Sequence, residues 1–114
     1  MATKNVVATR RFIKDFRSHS KQQETIETIK NFIHFRCLNE NEKFCNKDYI
    51  FVNGYYRGYR HVHLIYGYLV LVYQITKTEI RLCAICPHKT IDKHNIFGAW
   101  LNSLDENDFR PFQT

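Results

Sequence analysis

The run Tyr68–Ile75 (Y-L-V-L-V-Y-Q-I) constrains the rest of the chain most. It is aliphatic, β-branched or aromatic apart from one glutamine, and it lies between two turn signals, Tyr66-Gly67 and Thr76-Lys77-Thr78. A short, nearly continuous apolar run of this kind reads as a strand at the centre of its sheet. Its neighbours follow from the turns. Upstream, Tyr59–Ile65 alternates Tyr59, His61, His63 and Ile65 on one face with Arg60, Val62 and Leu64 on the other. Downstream, Glu79–Ile85 sets Ile80, Leu82 and Ala84 opposite Arg81, Cys83 and Ile85, and Pro87 ends the strand. Two tight turns between three such runs predict an antiparallel meander.

The flanks read as helices and short strands. Asn5–Thr9 is β-branched and opens the chain as a strand. In Arg10–Arg17, Phe12, Ile13 and Phe16 share one helical face, and in Lys21–Phe35 the residues Ile26, Ile29, Phe32 and Ile33 do the same, which predicts a helical hairpin. Cys37–Asp48 is polar and reads as a loop, Tyr49–Val52 as a short strand-like run ended by Asn53-Gly54. Helical spacing returns from Ile96 through Trp100, Leu101 and Leu104, and the acidic segment Asp105–Thr114 is expected to be a mobile tail. The expectation is a single α+β domain over residues 1–114. An N-terminal strand and helical hairpin would pack on one face of a small antiparallel sheet, with a C-terminal helix after it.

Charge narrows the class of partner. The formal net charge is +6 and the pI about 9.3, which favours RNA or DNA over a membrane, since no apolar run reaches the length of a span. No signal-type opening is seen, so a cytoplasmic setting with reduced thiols is expected. Cys83-x-x-Cys86 followed by His88 invites a zinc reading, but the other cysteines, Cys37 and Cys45, are separated by seven residues and form no second knuckle. A redox reading fails because Pro87, not a helix start, follows the motif. No metal or other cofactor is therefore expected. Glycine-rich phosphate loops, H-E-x-x-H and G-x-S-x-G are absent, and the carboxylates are scattered.

The chemistry-bearing residues cluster in the meander. Arg57, Arg60, Arg81, Lys77 and Lys89 are interleaved with Tyr55, Tyr56, Tyr59, Tyr66 and Tyr68, a mixture that grips phosphate and stacks on unpaired bases. His61 and His63 share a strand face and His88 follows the third strand. Two imidazoles titrating near neutrality suit the removal of a proton from a ribose 2′-hydroxyl and the protonation of the leaving 5′-oxygen. His19, His34 and His94 read as structural or surface residues.

The order G-Y-R-H-V-H (Gly58–His63), L-V-L-V-Y-Q-I-T (Leu69–Thr76), E-I-R-L (Glu79–Leu82) and P-H (Pro87-His88) resembles the second half of the RelE/ParE superfamily of bacterial toxins. It is most similar to the YafQ-type branch, while P-H-K and the helix after it resemble the YafO-type branch. The resemblance implies a RelE-like fold and a toxin–antitoxin protein that inhibits translation. Such a protein is an endoribonuclease (an mRNA interferase) acting on mRNA at the ribosome, without metal, and a cognate antitoxin holds it inactive. It implies catalytic roles for Arg60, His63 and His88, and more loosely for Arg81. His61, Arg57, Tyr59, Tyr66, Lys77 and Lys89 would bind RNA around them. Two features depart from the YafQ-type pattern: Gly67 stands where an aspartate is usual, and Ile91 and Asp92 occupy the stretch that usually closes on an aromatic. The alternative of the same fold is a non-catalytic module, a gyrase-type inhibitor or a plain RNA binder.

Overall fold

The structure, a computed structural model, describes residues 4–51, 56–64, 68–92 and 94–113. Its centre is the strand Leu69–Ile75 (β4), whose first five residues are buried. On one side β4 pairs with Arg60–His63 (β3), which pairs in turn with Asp48–Ile50 (β2). On the other it pairs with Glu79–Pro87 (β5), and all three pairings are antiparallel. The meander is therefore as the turns predict.

Alternation along β4 sends Leu71 and Tyr73 to one face and Val70 and Val72 to the other. Both sets are apolar, so both faces need cover. The first face is covered by the helices Arg10–Ser18 (α1) and Gln23–Leu38 (α2) through Phe12, Ile29, Phe32 and Ile33. The second is covered by His88–Asp92 (α3) and His94–Ser103 (α4) through Ile91, Phe97 and Leu101, together with Tyr56 and Tyr59. This corrects the expectation of helices on one face only. The same missing polar face that marks β4 as central requires a second layer of helices.

The sheet is mixed where the sequence suggested a purely antiparallel one. Asn5–Thr9 (β1) runs parallel to β5, with Val7 opposite Arg81 and Ala8 opposite Leu82. The segment expected to be a mobile tail forms the outermost strand: Asp105 caps a 3-10 turn, Glu106–Asp108, and Phe109–Pro111 (β6) then pairs antiparallel with β1. The order is β2-β3-β4-β5-β1-β6. Phe112 anchors this end, meeting the rings of Phe12 and Phe16 edge-on at 5.2 and 5.3 Å. Two phenylalanines in a short acidic segment supply the burial that holds it.

One irregularity decides where the end of β5 points. Val72 faces Ala84 and Tyr73 faces Leu82, so Cys83 is an extra residue, a β-bulge. Beyond it the alternation is reset. Ala84 and Cys86 join Cys83 on the α3/α4 face and Ile85 turns to the other, the reverse of simple alternation. Helix α1 holds this kink from both sides. Thr9, the N-cap of α1, accepts from the Phe12 N–H at 3.0 Å and donates its hydroxyl to the Cys83 carbonyl at 2.6 Å. Asp15 accepts the Ile85 N–H at 3.0 Å, just past the end of β1. Burial pushes the Asp15 carboxyl above the usual range, against the opposing pull of that hydrogen bond and of Arg11.

A three-histidine candidate active site

His61 and His63 lie on β3 opposite Val72 and Val70, both on the α3/α4 face. Their shared face is the two-residue period of a strand, as the sequence indicates. His88 follows β5 directly and continues its ladder by donating its N–H to the Tyr68 carbonyl at 2.7 Å. Counting on from Cys86, two residues further returns to the same face. Without the extra residue at Cys83 the parity would be opposite. The bulge thus brings the third histidine to the other two.

The three imidazoles form a compact triad. Ring centroids are 5.5 Å apart for His61 and His63, 5.1 Å for His63 and His88, and 5.9 Å for His61 and His88. One ring nitrogen from each can be chosen so that all three lie within 4.8 Å of one another. His61 is buried at 7% exposure and stacks on Phe51 at 4.5 Å, whereas His63 and His88 are half-buried and open to solvent. Tyr49 leans over both β3 histidines, at 5.3 and 6.0 Å, and is itself 42% exposed, with Lys43 over its outer face. Phe51 and Tyr49 were not singled out in the sequence. The signal was available, because β2 pairs with β3 and alternation puts Tyr49 across from His61.

Other expected site residues are distributed differently. Arg60 is not with the triad: it alternates to the α1/α2 face, opposite Tyr73, and donates to the Glu40 carbonyl at 3.1 Å. Arg81 is engaged near the other end of β5, by Glu79 at 2.9 Å and over the Phe109 ring at 4.8 Å. It is seven residues from His88, roughly 20 Å along a strand. Lys77 sits in the β4–β5 turn, also at the far end of the sheet; from Val72, opposite His61, it is five residues on, about 17 Å. Tyr59 cannot stack a base, since it is buried at 8% and its hydroxyl donates to the Leu101 carbonyl at 2.9 Å. Burial raises its pKa, helped by Cys83 and opposed by Arg81. Tyr56 is likewise a core residue bonded to the Ile91 carbonyl. Arg57 is exposed in the turn before β3, and Lys89 is exposed one residue after His88. Tyr68, joined to His88 by the main chain, is 60% exposed. Tyr55, Tyr66 and Gly67 lie outside the described residues.

Gly58, the glycine of G-Y-R, has φ +89°, a left-handed conformation that side chains resist, and it is the third residue of the turn Tyr56–Tyr59 that leads into β3. The Cys83 and Cys86 thiols are buried members of the second core, with pKa values pushed up by burial to about 12 and about 11.

Residues 4–93 match the family model of the bacterial toxin of type II toxin–antitoxin systems, YafQ. The chain belongs to this family. The YafQ toxin of Escherichia coli, in its complex with DinJ, superposes with a TM-score of 0.64 at 19% identity over 79% of this chain and 98% of that one. The YoeB dimer from Staphylococcus aureus gives 0.64 at 16% identity, over 76% and 98%. A copper-bound mutant toxin from Helicobacter pylori gives 0.60 at 21% identity, over 79% and 99%. These likenesses show a shared RelE-like fold. No curated protein matches the chain by sequence. Ile91, in the stretch where the resemblance implies an aromatic, is buried in the second core, at 6% exposure. The rings beside the histidines are Tyr49 of β2 and Phe51 just after it. Among the described residues no helix is long and apolar enough to cross a membrane.

Proposed function

We propose that this type II toxin is an endoribonuclease that cleaves mRNA, presented on the ribosome, by metal-independent attack of the ribose 2′-hydroxyl. The observation that carries the reading is the pair His63 and His88, 5.1 Å apart and half-open to solvent on one face. One imidazole removes the 2′-hydroxyl proton as the oxygen attacks phosphorus. The other gives a proton to the departing 5′-oxygen, leaving a 2′,3′-cyclic phosphate and a 5′-hydroxyl. His61, buried and stacked on Phe51, is suited to holding the other two rings rather than to reaching RNA. Arg57 and Lys89, both exposed, would meet phosphate, and Tyr49 and Tyr68 offer exposed rings for a base. A cognate antitoxin would silence the protein by covering this face.

The test is cleavage of mRNA by antitoxin-free protein, with and without ribosomes, in excess chelator. His63→Ala and His88→Ala should each lower the rate by about 10²–10⁴-fold while the circular dichroism spectrum is kept. Cleavage that survives both substitutions would refute the assignment. Toxicity that persists in the double variant with DNA damage rather than translation arrest would point to a gyrase-type inhibitor.

A further inference from the structure

We propose that His61, His63 and His88 also form a binding site for a Zn²⁺-class transition metal, and that occupancy of this site shuts off RNA cleavage. The donor set is the first argument. Three imidazoles with an open side toward solvent are a set that holds zinc with one position left for water, and imidazole selects Zn²⁺, Cu²⁺ and Ni²⁺ over Mg²⁺ or Ca²⁺. Distance is the second. Tetrahedral zinc with ordinary Zn–N bonds spaces its nitrogens about 3.4 Å apart, so each nitrogen of a triad within 4.8 Å needs to move inward by only about 0.8 Å. Rotation about the broad imidazole χ2 torsion supplies such a shift. Rigidity is the third. Two ligands sit two residues apart on a strand paired on both sides, and the third is pinned by its main-chain bond to Tyr68.

The consequence for activity rests on the ribonuclease reading above. A nitrogen whose lone pair is bound to metal can neither accept a proton nor deliver one. Zinc at the triad therefore removes the base and the acid together, and metal acts as an inhibitor of a reaction that does not use it.

The experiment uses full-length protein freed of metal by chelation. Zn²⁺ affinity is read by competition with a chromophoric chelator, and Cu²⁺ is added in parallel to record nitrogen couplings by electron paramagnetic resonance. One Zn²⁺ per chain is expected, weakened at least tenfold by His61→Gln, His63→Gln or His88→Gln. The wild-type Cu²⁺ spectrum should show three nitrogens, a readout that does not depend on any variant folding. RNA cleavage should fall in step with Zn²⁺ occupancy and return with chelator. Metal bound at the triad by a protein that cleaves no RNA even when metal-free leaves the site standing and removes the ribonuclease reading. Cleavage without any triad-dependent metal binding, or binding lost only on replacing Cys83 and Cys86, overturns the site. Cleavage unchanged or accelerated at full zinc occupancy overturns the inhibition.

Discussion

Replacing Asp48 should be the most damaging single change outside the two apolar cores. Arg36, near the end of α2, is 2% exposed, and its guanidinium forms a buried ion pair with Asp48 at the start of β2. Tyr73 donates its hydroxyl to Asp48 at 2.6 Å, and the Phe44 N–H adds a third bond at 3.0 Å. The Arg36 Nη1 donates to the carbonyls of Asn39 and Glu42 at 2.7 and 2.6 Å, so the Arg36 side chain staples the loop before β2. Burial, with the Asp48 carboxylate beside it, pushes the Tyr73 phenol well above its ordinary pKa, so it stays a donor. Asp48→Ala leaves the guanidinium buried without its counter-charge, a loss of about 3–5 kcal/mol. For a chain of this size that corresponds to a fall in Tm of about 12–20 °C. Thermal and urea unfolding followed by circular dichroism would read it. The paired replacement Arg36→Met with Asp48→Leu removes both charges and should recover much of the loss. A single-variant cost below about 1 kcal/mol, or a double variant as unstable as the sum of the singles, would refute the reasoning.

Four further outcomes are expected. Thiol labelling of native protein should modify exposed Cys45 first and leave buried Cys83 and Cys86 untouched until unfolding. Since the fold keeps those two protonated to about pH 12 and about 11 against an ordinary 9.0, their contribution is intact below about pH 9 and is lost as the pH climbs toward the folded values. Denaturation at pH 8 and 10.5 should show this loss, and Cys83→Ala with Cys86→Ala should flatten it. Gly58→Ala should cost about 1–2 kcal/mol from backbone strain alone, because the added methyl meets only Gln74 at 3.9 Å; urea unfolding measures it. Asp15→Asn with Thr9→Val loosens the bulge without touching a histidine, so triad Zn²⁺ affinity should fall more than tenfold; an unchanged affinity beside a lowered Tm would limit both residues to a structural role.

The sequence shows the fold wherever one local rule operates alone. The apolar run of β4 and its two turns gave the meander, and the isoleucines and phenylalanines of α1 and α2 gave the hairpin. What it did not show are the outcomes of competition between distant segments. That β1 lies parallel to β5, and that the acidic end pairs with β1, depend on which edge is left open once the meander forms. The Arg36–Asp48–Tyr73 network is equally invisible, because its members are scattered through a helix, an edge strand and a central strand.

The site was legible to the same extent and for the same reason. His61 and His63 were placed correctly because a strand's period of two fixes their face, and the same period sends Arg60 away from them even though it stands next to His61. His88 is different. Plain alternation from Arg81 to His88 predicts the wrong face, and only the extra residue at Cys83 corrects it. Nothing in C-A-I-C announces a bulge. Its anchors, Thr9 and Asp15, lie some seventy residues earlier in the chain. The triad is thus assembled by α1 acting on β5. A change in that helix should alter the geometry of the histidines without making contact with any of them.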